Sequence, residues 1–215
     1  SSSFQGLFGN INQSTIKDLG VVNANVTGGG FTGILVGQAE NSQISNAYTS
    51  GTVTSNALVG GLVGMLKDST ATNVYSTADV KGNAIVGGLI GSSDGSIVEK
   101  AFATGKVTAP NGQVGGLIGG MFNGGTVKNS YATGDVNGKI GGGLVGFINN
   151  ASITYTFDTV YSTSRVSGSE YVGGFVGMVN GVTNIKNAVY NRSTGVDAIG
   201  GGSATGILGK DYEQM

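Results

Sequence analysis

The chain has 215 residues, with 11 basic and 12 acidic side chains and no histidine, cysteine or tryptophan. A net charge of −1 gives no bulk attraction to nucleic acid or to an anionic membrane surface. Without His or Cys there is no Ser-His-Asp triad, no thiol nucleophile, no disulfide and no ordinary zinc site. The 42 glycines and single proline make a fifth of the chain, short of low-complexity disorder, and the apolar fraction of 39% fits a folded one. No apolar run approaches the ~18 residues of a membrane span, so no membrane insertion is expected. No charged-then-apolar leader opens the chain, which starts mid-pattern as a mature chain or an excised fragment would.

Two motifs alternate along the chain. A Gly-apolar-apolar-Gly tetrad appears at Gly6-Leu7-Phe8-Gly9 and, loosely, at Gly33-Ile34-Leu35-Val36-Gly37. It returns at Gly61 to Gly64, Gly88 to Gly91, Gly116 to Gly119, Gly143 to Gly146, Gly174 to Gly177 and Gly206 to Gly209. Successive first glycines lie 27, 28, 27, 28, 27, 31 and 32 residues apart, so eight tetrads bound about seven units. Between them stands an aromatic motif. After a degenerate copy at Ile16 to Val26 it runs Ile44 to Val53, Ala71 to Val80, Val98 to Val107, Val127 to Val136 and Phe157 to Val166. Ile185 to Tyr190 reads as a last copy with one residue inserted, and the four-residue excess near Ser152 to Phe157 as a local bulge or loop.

Each unit holds short β-prone runs separated by Gly, Asn, Ser and Asp, and none shows the periodicity of a helix. A unit of this size has no core of its own, but stacked copies pair strand on strand and share one. The expected fold is all-β: a parallel β-solenoid of about seven coils of 27–31 residues spanning residues 1–215. We expect three strands per coil and right-handed winding, the default for parallel crossovers. Residues 1–30 form the entry or cap unit, 31–200 the repeats and 201–215 the closing unit, with Asp211 to Met215 as the second cap.

Stacking turns equivalent positions into columns. Asp79, Lys106, Asp135 and Arg165 form one charge ladder of alternating sign, and Glu99, Lys128, Asp158 and Lys186 another. Charged columns face solvent. By strand parity Val53, Val80, Val107, Val136 and Val166 then point inward, with the small residues Ala78, Gly105 and Gly134. The same parity sends Tyr48, Tyr75, Phe102, Tyr131 and Tyr161 outward, beside Thr77, Thr104, Thr133 and Thr163. A bulge that turns the aromatics into the core is the alternative. Asn46, Asn73, Asn129 and Asn187 read as a structural ladder at a corner, interrupted by Lys100 and Thr159, because Asn tolerates left-handed turns and its amides can bond from coil to coil.

These residues resemble the GLUG-motif repeat family: Val59-Gly60-Gly61-Leu62-Val63-Gly64 carries its Gly-Leu-any-Gly signature, and Val127 to Val136 its aromatic segment. Phe4 to Val26 is similar to the family's entry unit and Thr205 to Met215 to its closing tail. The resemblance implies a repeat module of a large secreted or surface-attached bacterial protein, with flanking domains and no activity of its own. It places the chain outside the cell or at the bacterial cell surface. The expected function is a stalk, spacer or adhesion module. Its alternative is a face that binds a glycan or a host or cell-surface protein through the Tyr/Thr row. Regular Thr rows could also order water as in ice-binding solenoids. An enzyme of the carbohydrate-active β-helix type needs paired carboxylates ~5–10 Å apart, whereas the acids here are scattered along the units. Accordingly no catalytic residue, metal site or cofactor is assigned.

Overall fold

The computed structural model describes residues 3–215; Ser1 and Ser2, the start of the expected entry unit, lie outside the described residues. The chain winds into a parallel β-solenoid of about seven turns. Each strand pairs in parallel with the strand one coil before and after it. The coil has four strand runs where three were expected: Leu58–Gly60, Val63–Lys67, Thr70–Ser76 and Asp79–Gly82 in one turn. They are the first to fourth sides below. The short first run stands apart at Gly61-Leu62, where the chain turns between the first and second sides.

The last glycine of the tetrad and the glycine just before it work at a pinch in the cross-section. A Cβ on Gly60 would fall on the carbonyl oxygen of Val63, and one on Gly64 would press on the backbone of Phe31 and Thr32. The first and second sides thus meet backbone to backbone, which only glycine permits. The pinch divides the interior into two apolar compartments. Leu62, Val63, Leu66, Ala71 and Val74 fill one, between the second and third sides. Val59, Ala78, Val80 and Val86 fill the other, between the first and fourth. Val53, Val80, Val107, Val136 and Val166 all point inward, each at most 6% exposed.

Corners are set by left-handed residues. Gln13, Asn41, Asp68, Gly95 and Asn123 have positive φ before the third side. Behind them Ser14, Ser42, Ser69 and Ser96 form a column in which each Oγ, from Ser42 on, accepts the backbone N–H of the serine one coil earlier, at 2.9–3.1 Å. The same hydroxyls donate to the carbonyl two residues back. This ladder satisfies buried backbone groups that would otherwise have no partner.

Three sequence expectations change at the C-terminal end. First, Gly206 to Gly209 is not an eighth tetrad: Ile207 and Leu208 pair with Ala188 and Val189 on the third side. The place beside Val176 belongs to Ile199, and Phe175 N–H donates to Ala198. Second, Ile185 to Tyr190 carries no insertion. Val189 pairs with Tyr161, and Tyr190 with Ser162, which turns Tyr190 inward over Gly174. Third, the four-residue excess is split. Residues 151–153 bulge out between Asn150 and Thr154, and one further residue lies between Gly168 and Tyr171. The bulge lets Tyr155 enter the core, where its hydroxyl donates to the Asn149 carbonyl at 2.5 Å; burial pushes this phenol's pKa up. Beyond it Asp211 is held by Arg192 at 2.8 Å, ahead of a short 3-10 turn at Tyr212–Gln214.

Candidate functional site: the outer face of the third side

The outward residues of the third side and the start of the fourth form the face that holds every sequence-predicted site residue. Tyr48, Tyr75, Phe102, Tyr131 and Tyr161 stand in register, one per coil. Their rings are stacked at centroid distances of 5.1, 4.6, 4.9 and 4.7 Å and interplanar angles of 2–8°. They lie on the outer surface, half-buried against one another, with Tyr48 39% and Tyr161 38% exposed. Coil spacing imposes this parallel stack, because in-register strands repeat at ~4.8 Å, close to ring thickness plus contact. Partial burial next to Tyr131 pushes the Tyr161 phenol's pKa above its ordinary value.

The stack decides which ring surface a ligand can reach. The faces of Tyr75, Phe102 and Tyr131 are covered on both sides by neighbouring rings. Tyr48 lies over Gly20, where a Cβ would fall on its ring. Edges and hydroxyls therefore face solvent along the row, and a sugar cannot lie flat on its centre. Thr77, Thr104 and Thr133 are exposed beside the rings, and Thr163 is half-buried.

The Asn column explains its own interruptions. Asn46, Asn73, Asn129 and Asn187 all have φ near +50°, and so do Lys100 and Thr159, which occupy the same corner. Asn46 Nδ2 donates to Asp18 at 2.8 Å, and Asn73 Nδ2 to Asn46 at 2.8 Å. Lys100 ends that chain of amides. Farther along, Asn187 Nδ2 donates to Asp158 at 3.0 Å and Thr159 Oγ1 to the same carboxyl at 3.1 Å. These bonds, helped by Lys128 and Lys186, hold the Asp158 carboxyl below the usual range.

The charge columns are adjacent rows without being chains of ion pairs. Asp79, Lys106, Asp135 and Arg165 immediately precede the paired valines Val80, Val107, Val136 and Val166. Val80 N–H donates to the Lys106 carbonyl, Val107 N–H to that of Asp135 and Val136 N–H to that of Arg165. Yet the Asp79 carboxylate accepts the backbone N–H of Lys106, at 2.8 Å, and not its ammonium. Glu99, Lys128, Asp158 and Lys186 pair in register in the same way. Neither column contains one of the ion pairs found among the described residues. Long solvated side chains gain too little from pairing to be ordered by it. The pair that does close a ladder, Lys67–Glu40 at 2.6 Å, is in a column sequence reading passed over: Glu40, Lys67 and Asp94 alternate in sign on the second side. The Glu40 hydrogen bond raises the Lys67 pKa.

A family model of the GLUG motif matches residues 82–108 and 110–137, consecutive stretches that contain Phe102 and Tyr131. The chain carries GLUG motifs in these two coils, consistent with a GLUG-repeat family. The neighbouring coils of the solenoid stack on the matched ones in the same register. No curated protein matches the chain. Within the matched units, the last glycine of the Gly-Leu-any-Gly signature, Gly91 or Gly119, makes the pinch between the two core compartments with Gly87 or Gly115 just before the signature, and the aromatic segment is the stacked outer row.

Proposed function

We propose that this GLUG solenoid is a non-enzymatic rod, a stalk or spacer module of a larger bacterial protein on the cell surface or outside the cell. The observation that carries the reading is the coil-to-coil register, kept on either side of a few local bulges: backbone pairs bond each coil to the next, the aromatic row joins five coils and the serine column four. Such a structure resists bending and adds ~4.8 Å per coil, about 34 Å over seven coils. The extracellular bacterial setting rests on the GLUG resemblance. The acids, scattered along the chain, support a role without hydrolytic chemistry. Among the described residues no three His, Cys, Asp or Glu side chains are grouped to hold a metal ion.

Deleting residues 61–87 tests the reading, because Gly60 pairs with Gly87 and the splice keeps register. The rod is expected to fold and to shorten by about one coil spacing, ~5 Å, measured between spin labels near its ends. Release of reducing ends or unsaturated uronate from any polysaccharide by the purified chain, lost on substituting one acid, would overturn it.

An adhesive face is the second reading, favoured by the contiguous outward strip of Thr77, Thr104 and Thr133 beside the aromatic edges. Its partner would be a glycan or a host or cell-surface protein. Replacing Thr104 and Thr133 together with Glu should abolish binding to a glycan or matrix-protein array; unchanged binding would exclude the strip.

A further inference from the structure

One ring of the row differs from the rest. Tyr161 is covered on one face by Tyr131, at 4.7 Å, but the next position of the column is Val189. Valine is shorter than a tyrosine ring, so no ring of the described side chains stacks on the outer part of the second Tyr161 face. A cleft of about 490 Å³ opens there, lined by Tyr161, Thr133, Thr163, Val189, Lys210 and Met215. A second, of about 330 Å³, flanks the ring's other edge between Tyr131, Asn187 and Val189. Among the described residues the pillar thus ends in a step with one part-open aromatic face, two threonine hydroxyls and one ammonium.

We propose that this step is a binding subsite for one ring of an acidic saccharide, a hexuronate or a sugar of like charge. The apolar C–H face of a pyranose matches the exposed half of the Tyr161 ring, as apolar surface does any aromatic plate. Thr133 and Thr163 offer hydroxyls that both donate and accept, which suits sugar hydroxyls. The acidic class follows from charge. Lys210 makes no ion pair with a described residue, and no described Asp or Glu side chain lines the 490 Å³ cleft, so a sugar carboxylate would meet its ammonium. The inference deepens the adhesive reading and moves it from the centre of the row, where ring faces are covered, to its end. The rod reading does not depend on it.

The test titrates the full chain with an α-1,4-linked galacturonate trimer and, separately, with the neutral galactose trimer, following ring resonances of Tyr161 by NMR. Saturable shifts with the uronate are expected. Val189→Tyr, which adds a sixth ring over Tyr161, should abolish them while leaving the melting temperature equal or higher. Lys210→Gln should weaken binding about tenfold, the loss of one charge-assisted hydrogen bond. No shift in the wild-type chain, or binding untouched by Val189→Tyr, overturns the site. Equal affinity for the two trimers overturns the acidic class. If Val189→Tyr fails to fold, Tyr161→Phe and Tyr161→Ala decide: the first must keep binding and the second must lose it.

Discussion

The side-chain amide of Asn73 donates to the side-chain oxygen of Asn46, one coil earlier, at 2.8 Å, and both residues hold left-handed backbone. One residue type thus meets two demands, the strained corner and the bond along the axis. Lys100 occupies the next place with φ of 52° and supplies no such bond. Lys100→Asn should therefore stabilise the chain by about 0.5–1 kcal/mol, and Asn73→Ala should cost about 1–2 kcal/mol. Urea midpoints at constant m-value measure both, and a stabilising Asn73→Ala would refute this account of the ladder.

The pinch glycines and the free glycines should behave differently. A Cβ at Gly87 would fall on the Ile90 carbonyl, deep in the stack, whereas Gly195 has open space around it and only a positive φ of 77° to lose. Gly195→Ala is expected to cost about 1 kcal/mol. Gly87→Ala should cost more than about 3 kcal/mol, because backbone on both sides of the pinch must shift. Circular dichroism melts of the two variants make the comparison.

Phe102 is stacked between Tyr75 at 4.6 Å and Tyr131 at 4.9 Å. Phe102→Ala removes two aromatic contacts and should destabilise by about 1–3 kcal/mol. Phe102→Tyr should be close to neutral, since the edge that gains the hydroxyl faces solvent. If Phe102→Ala leaves the urea midpoint unchanged, the pillar contributes no stability.

Ser93 is fully buried in the column that holds Leu66, Met121 and Ile148, and no described group lies within hydrogen-bonding reach of its hydroxyl. Ser93→Ala removes that unmet desolvation and should stabilise by about 1 kcal/mol. A loss of stability would point to a bond that forms in solution.

Acid should loosen the corner at Asp158. Its carboxyl is held below the usual range, chiefly by the Asn187 hydrogen bond. A carboxyl depressed in the folded state contributes its full stability above the unfolded pKa. It loses that contribution as pH falls through the lower native value. NMR titration should find Asp158 below ordinary aspartates, and Asn187→Ala should bring it back toward them.

Much of this was legible in the residues alone. The spacing of Gly61, Gly88 and Gly116 gives the coil, and the alternation from Thr77 to Val80 gives the outward and inward faces, because a strand has a period of two. The chain-order reading failed at Gly206 to Gly209 and at Tyr190. There the motif letters persist but the pairing partner changes, and only register shows which neighbour a residue meets.

Sequence by itself determined the period, the stacking axis and the composition of each column, since identical units can bury a core only by lying over one another. Tertiary structure decided the rest. It divided the interior at the glycine pinch, left the charged columns unpaired, turned ring faces inward on each other, and left Tyr161 as the step where the row ends. These depend on distances of a few ångströms between coils, which no single unit contains.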